Sequence, residues 1–299
     1  MASLELHEKM VLDGLEKIKD EIPFESPVNP VELSLDSEIQ FHCHKGVSCF
    51  NECCRNIDIT LTPYDILRLK RRFGMSSSEW VNQFTLPYPM DAHEMPGLKL
   101  ATRPGTTACV FLREEGCSVY EDRPAACRLY AMGSMGVRKQ GSAEVEELYF
   151  LVKEEHCKGH EEPRKLTVQA YLEEQGLLEY QEFNRNWRDI VLKKRSSGPT
   201  VGKPSPRSMQ LFDMCSYDID SFRKFVNSPG FAEVFDLEDE EKKGLNEDED
   251  RLFQFSCRFL KQVLYGEQSI AVRPDARDRR MQRRKPSGAA TESGGPDQG

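Results

Sequence analysis

Long apolar runs are missing from this chain: no stretch approaches the roughly 20 apolar residues that a membrane span requires, so a membrane role has no support. A secretory leader is missing too. The first residues interleave acids with Leu4, Leu6, Met10, Val11, Leu15 and Ile18, which predicts an amphipathic helix rather than a basic n-region with an unbroken apolar core. Positive charge is in the minority, 41 Lys and Arg against 50 Asp and Glu for a formal net charge of -9, which argues against a chain-wide nucleic-acid surface. No Gly-x-Gly-x-x-Gly or phosphate-binding loop occurs, so a bound nucleotide has no basis in the sequence. The Cys-x-x-Cys of thioredoxin-type redox enzymes is lacking, as is the Cys-x2-Cys-x2-Cys-x3-Cys run of ferredoxins. The radical type of cluster, Cys-x3-Cys-x2-Cys, fails at its last position, where Asn56 follows Cys49 and Cys53. These absences predict a soluble, cytoplasmic protein with neither a nucleic-acid nor a membrane partner.

What is present is cysteine. With 299 residues and 38% apolar content the chain can bury a sizeable core, so its ten cysteines are not needed as staples. In a reducing compartment they read as ligands or catalysts. Cys43, Cys49, Cys53, Cys54, Cys109, Cys117, Cys127 and Cys157 crowd into the first half of the chain, and only Cys215 and Cys257 lie beyond. Soft thiolates suit zinc and iron-sulfur clusters. The adjacent pair Cys53 and Cys54 would point to opposite faces of an extended backbone and spread in a turn, so the two could serve different metals or one alone could ligate. Cys215 has no cysteine near it in sequence, and Cys257 sits at helical spacing among Phe253, Phe255 and Leu260 as a small buried hydrophobe.

Four thiolates around a metal leave negative charge, which makes Arg123 and Arg128, either side of Cys127, sensible donors to sulfur from outside the ligand set. His42 and His44 flank Cys43, while His156 and His160 bracket Cys157. Histidine ligates zinc, so a mixed site is open alongside an all-cysteine one.

The rest of the chain predicts an α+β protein: a small cysteine-rich metal-binding domain of short strands, loops and helices, with an additional helical C-terminal region. Residues 1–35 hold the N-terminal helix and lead-in, 36–165 the cysteine domain, 166–268 a helical region with a Ser/Gly/Pro loop at 196–206, and 269–299 a disordered tail. Ile57 to Leu61 alternates as a strand, Thr62-Pro63 opens a helix that Gly74 closes, and Ser76 with Glu79 forms a capping box for the next. Leu98 to Thr102, Cys109 to Leu112 and Glu146 to Val152 read as strands, and Thr167 caps a helix ending near Gly176.

Taken together, Cys49-x3-Cys-Cys54, Cys109, the block Cys117-x-x-Tyr-x-x-Arg-Pro-x-x-Cys127-Arg and Cys157 resemble the YkgJ-type cysteine-cluster proteins over residues 41–160. That family is described as zinc- or iron-chelating and often labelled an iron-sulfur oxidoreductase, and a related domain occurs in flagellin lysine methylases. The chain differs from the commoner first motif, Cys-x2-Cys-x2-Cys-Cys, in its Cys43-x5-Cys49 spacing. The resemblance implies an iron-sulfur cluster of the four-iron, four-sulfur type, or alternatively structural zinc. It also implies electron transfer or support of a redox or enzyme partner protein. Serine in place of the clustered cysteines should then remove metal, and an acidic residue at Arg128 should lower the reduction potential.

Overall fold

A computed structural model describes residues 28–91, 93–138, 145–196 and 204–276 of the chain. The helix expected in the first residues, most of the 196–206 loop and the basic run past 276 fall outside them. Among the described residues the fold is α+β, with small antiparallel sheets, ten helices and a helical C-terminal region.

The local signals operate as the residue types dictate. Thr62 caps the helix Pro63–Phe73, with its hydroxyl and the Asp65 carboxylate closing a reciprocal box, and Gly74 ends it at φ 62°. Ser76 and Glu79 do the same for Ser77–Phe84. Thr167 caps Val168–Glu174, and Gly176 turns the chain at φ 65° into Leu177–Ser196.

Three sheets carry the first part of the chain. Val145–Val152 lies between Val28–Leu33 and Met132–Arg138, Pro96–Leu100 between Thr60–Leu61 and Thr85–Pro89, and Lys165–Thr167 pairs with Glu38–Gln40. Two expected strands are shorter than the apolar pattern suggests. Residues 57–61 contribute only Thr60–Leu61, because the Ile57 N–H donates instead to the Thr107 carbonyl. The stretch after Cys109 forms one arm of a two-residue hairpin, Leu112–Arg113 against Gly116–Cys117. Met132–Arg138 gives no strand signal in sequence because Gly133 and Gly136 dilute it. Gly133 is required, since a Cβ there would collide with the Phe150 ring.

Ile39, Phe41, Met132, Tyr149, Val168, Tyr171 and Leu172 form one core, with Cys157 packed at its edge. A second packing centre stacks Phe73, Phe84 and Phe111, their ring centroids 5.3–5.6 Å apart. The helix Leu177–Ser196 docks through buried Asn184, which accepts from the Tyr64 N–H (3.3 Å) and donates to Thr62 Oγ1 (3.0 Å).

The chain divides into two compact units after Ser221. The second is built on phenylalanine: Phe259 lies 5.5–6.1 Å from the rings of Phe222, Phe225, Phe231 and Phe235, and Leu252, Phe255 and Leu260 are fully buried beside Cys257. One expectation is corrected here. Residues 269–276, assigned to a disordered tail, are held in place: Val272 bridges Phe235, the Arg273 N–H donates to the Val234 carbonyl, and Ile270 and Ala276 are buried. Sequence composition undercounted this clasp because its bonds, from backbone and from the Arg273 guanidinium to Ala232 O and Asp236, join positions far apart in sequence.

Candidate metal centre

The first cysteine group sits on a loop shaped by successive tight turns. Val47 N–H donates to His44 O, Phe50 to Val47, Glu52 to Cys49 and Cys54 to Asn51, with Asn51 left-handed at φ 72°. Buried Val47 anchors the loop. The chain leaving it is tied to the second group, because the Cys109 N–H donates to the Cys54 carbonyl (2.9 Å) and Thr107 Oγ1 to Arg55 O (3.0 Å). Cys117 ends the hairpin, and Gly116 at φ 129° lets it pass the Phe50 ring.

Cys127 rides on the short helix Ala125–Leu129, which Asp65 positions. The fully buried Asp65 carboxylate caps its own helix and accepts the Ala125 N–H at 2.8 Å. Burial pushes its carboxyl up to about 6, against the N–H donors from Thr62 and Ala125. Cys157 lies beyond the sheet, where its N–H donates to Glu154 O (2.9 Å) and the following N–H, of Lys158, donates to Cys49 Sγ (3.1 Å).

The structure thus gathers all eight clustered cysteines, separated by up to 114 positions in sequence, into one electrostatic neighbourhood. None is in a disulfide, and Cys215 and Cys257 are buried elsewhere. Two subsets stand out by which thiols act on which. Burial raises the Cys43 thiol, and the charges of Cys49, Cys157 and Cys54 raise it further. Burial likewise raises Cys109, to about 11, and Cys117 and Cys127, with Cys54 acting on each of the three. Cys53 is the link, since Cys43 on one side and Cys127 on the other both act on it.

The sulfurs of Cys53 and Cys54 are 3.9 Å apart. Their shared hydrogen bond eases the first ionisation, to about 7 at Cys54, and holds the second proton on Cys53. Backbone N–H groups oppose the general rise: Phe111 donates to Cys109 Sγ (3.4 Å) and Val119 lowers Cys117. A donor set of this kind, costly to ionise alone yet met by N–H groups aimed at sulfur, fits a metal whose positive charge offsets the repulsion.

The two arginines part company. Arg123 lowers both the Cys43 and Cys117 thiols while its guanidinium donates to Tyr120 O (2.7 Å) and Gln175 Oε1 (2.6 Å). Arg128 differs from the expectation of a sulfur donor: it is buried, stacks 4.7 Å over the Tyr180 ring, and donates to the carbonyls of Arg123 (2.9 Å), Gln175 (2.7 Å) and Glu121. Its hydrogens are committed to backbone, so it clamps the turn that presents Cys127.

Sequence reasoning missed Arg72, which lowers Cys117 and bonds Ser118 O (3.0 Å) and Asp122 (2.9 Å). It also missed Asp65. Neither carries a linear signal, although Asp65 is visible as the third residue of a capping box. Of the histidines, His160 Nε2 donates to Val152 O (3.0 Å) and the ring packs on Phe41, and His156 lies 3.8 Å from Glu154. His42 and His44 stack at 4.6 Å. Tyr130, whose hydroxyl is buried beside Cys157 and Glu154, forms no hydrogen bond of good geometry.

Residues 42–158 match the family model CxxCxxCC, described as "Putative zinc- or iron-chelating domain", the family to which YkgJ belongs, and that match supports metal binding by this stretch. No curated protein and no solved structure matches the chain. Among the described residues no helix is long and apolar enough to cross a membrane.

Proposed function

We propose that the eight thiolates hold iron-sulfur clusters in two four-cysteine groups, Cys43, Cys49, Cys53 and Cys157 in one and Cys54, Cys109, Cys117 and Cys127 in the other. The observation that carries this reading is the convergence of the eight cysteines on the 53–54 turn, where the two sulfurs are 3.9 Å apart, the Cys109 N–H bonds the Cys54 carbonyl, and Cys43 and Cys127 both act on Cys53. Assigning Cys53 and Cys54 to different groups puts the two centres side by side, since the two sulfurs are 3.9 Å apart.

Structural zinc is equally compatible with these thiols, and the 3.9 Å between the Cys53 and Cys54 sulfurs is close to the roughly 3.8 Å that thiolates at about 2.3 Å from one zinc ion would take. A polynuclear cluster accepts ligands farther apart, and would supply one-electron transfer when bound.

The chain's own residues then set the environment. Arg123 and Arg72 place positive charge beside Cys43 and Cys117, and the Lys158 and Phe111 N–H groups donate to sulfur, all of which favours the reduced, more negative state. The role in this reading is electron delivery to, or structural support of, a partner enzyme in the cytoplasm. Anaerobic purification of the full chain tests it: iron with matching acid-labile sulfide is expected, and colourless protein with stoichiometric zinc would replace the reading by a structural zinc module.

A further inference from the structure

Tyr130 follows directly on the short helix that carries Cys127, with its N–H donating to Ala126 O (3.3 Å), and its hydroxyl lies beside Cys157 and Glu154. One residue thus stands between the helix of Cys127 and the turn of Cys157. Its neighbours fix where the ring sits. Tyr171 donates its hydroxyl to the Tyr130 carbonyl, the Val152 N–H donates to Ala131 O (2.9 Å), and the ring meets buried Phe41 edge-on at 6.4 Å. Tyr130 and Cys157 pack against the same apolar core.

The Tyr130 hydroxyl is buried and has no hydrogen-bond partner among the described residues. An unpaired buried hydroxyl is costly, because it has given up water without replacing it. Two acceptors stand beside it. The Glu154 side chain is 37% exposed and lies 3.8 Å from His156 Nε2, so solvent and that ring can serve its carboxylate without Tyr130. The Cys157 sulfur is the other. A neutral thiol accepts weakly, whereas a thiolate draws a short, charge-assisted bond. Metals take cysteine as thiolate, so ligation of Cys157 creates the acceptor that the hydroxyl needs. The phenol is a donor and not itself a phenolate ligand, since burial and the neighbouring Glu154 and Cys157 hold its proton on.

We propose that Tyr130 is a positioning residue of the metal centre, its hydroxyl donating to the sulfur of metal-bound Cys157 and holding that thiolate toward Cys43, Cys49 and Cys53. The proposal rests on the reading of Cys157 as a ligand. A bond of this kind draws charge off sulfur, which makes the thiolate a poorer nucleophile whichever metal it binds and favours the reduced state of an iron-sulfur cluster. It does for Cys157 what the Lys158 N–H does for Cys49 (3.1 Å). Unlike that backbone donor, it can be removed by deleting one oxygen.

The test compares the full chain, purified anaerobically, with Tyr130→Phe, which keeps the ring against Phe41. Metal content should equal that of wild type. The rate of alkylation by iodoacetamide, read peptide by peptide in a mass spectrometer, should rise at least threefold at Cys157 and stay unchanged at Cys43. In protein that holds iron and sulfide, the midpoint potential should fall by up to about 59 mV, a tenfold change in a one-electron equilibrium. Glu154→Gln should keep the wild-type rate at Cys157. An unchanged Cys157 rate in Tyr130→Phe, an equal rise at Cys43 from general loosening, loss of metal, or a matching rise in Glu154→Gln would overturn the proposal. Zinc in place of iron would refute the cluster reading and leave the alkylation comparison decisive.

Discussion

The two compact units solve the folding problem in opposite ways. The second packs Phe222, Phe225, Phe231, Phe255 and Phe259 with near-complete burial around a long helix, and its Cys257 is simply part of that apolar interior. In the first, the loops at 43–57 and 107–127 have little regular structure, and the cysteines they carry, from exposed Cys43 and Cys53 to buried Cys109, are oriented by turns, two glycines and buried polar groups. Apolar burial stabilises the phenylalanine unit outright. The thiolate loops gather charge that destabilises them until a cation arrives. In this comparison the same residue type is a packing element at one position and a proposed ligand at another, and the difference is the number of other sulfurs around it.

The sharpest contrast is between cysteines. Cys127→Ser is expected to strip metal from its group and to destabilise the loops by several kcal/mol, since binding energy there is folding energy. Cys257→Ser should keep full metal and cost only about 1–2 kcal/mol, the price of a hydroxyl in an apolar interior. Metal analysis with thermal melts of both variants decides it, and equal metal loss in the two would erase the distinction.

Phe259→Ala should come next. Removing a ring buried to 2% among four others costs about 3–5 kcal/mol in denaturant unfolding. Metal content should be untouched. Deleting residues 277–299 should change neither quantity, whereas a cut at 269 should destabilise the phenylalanine unit because it removes buried Ile270 and the Val272 bridge.

The arginines divide along the same line. Arg128→Met leaves three backbone carbonyls without their donor and should cost about 2–4 kcal/mol, with metal lost as the Cys127 turn loosens. Arg123→Gln should retain metal and lower the midpoint potential by roughly 20–60 mV, because a cation beside Cys43 and Cys117 is gone. A voltammogram identical to wild type would place Arg123 outside the cluster's field. The Arg128 test at first suggested by sequence, a change of potential with metal retained, is thereby transferred to Arg123.

Asp65 gives the smallest and most specific signal. Its carboxyl titrates near 6 when folded, above the ordinary aspartate value of 3.8. A group raised on folding contributes stability that is complete below the unfolded value and lost as pH climbs through the folded one. Its contribution should therefore fall by up to about 3 kcal/mol between pH 4 and pH 6. The difference in unfolding free energy between wild type and Asp65→Asn should change over that window. A constant difference would mean that the buried carboxyl keeps an ordinary affinity for its proton.

How far the sequence could be read follows from the range of each interaction. The capped starts at Thr62, Ser76 and Thr167 lie within four residues of what they bond, so composition and order reveal them. The cysteines were visible as a cluster because four of them, Cys43, Cys49, Cys53 and Cys54, fall within twelve positions. Which of them act on one another was not visible, because Cys54 meets Cys109 only through a backbone pairing across 55 positions. Arg128 and Arg123 look equivalent on either side of Cys127. Tertiary carbonyls from Glu121 and Gln175 make one a clamp and leave the other near sulfur. His44 and Glu162 are 118 positions apart, and no spacing rule reaches that far.

The account stands or falls on the adjacent pair at 53 and 54. The direct measurement is the metal content, iron and zinc together, of the full chain carrying Cys53→Ser and Cys54→Ser, compared with wild type after identical anaerobic purification. Because each residue is assigned to a different four-cysteine group, the double variant should lose metal from both, with each single variant depleting its own group. Wild-type metal content in the double variant would contradict the thiolate centre at this loop.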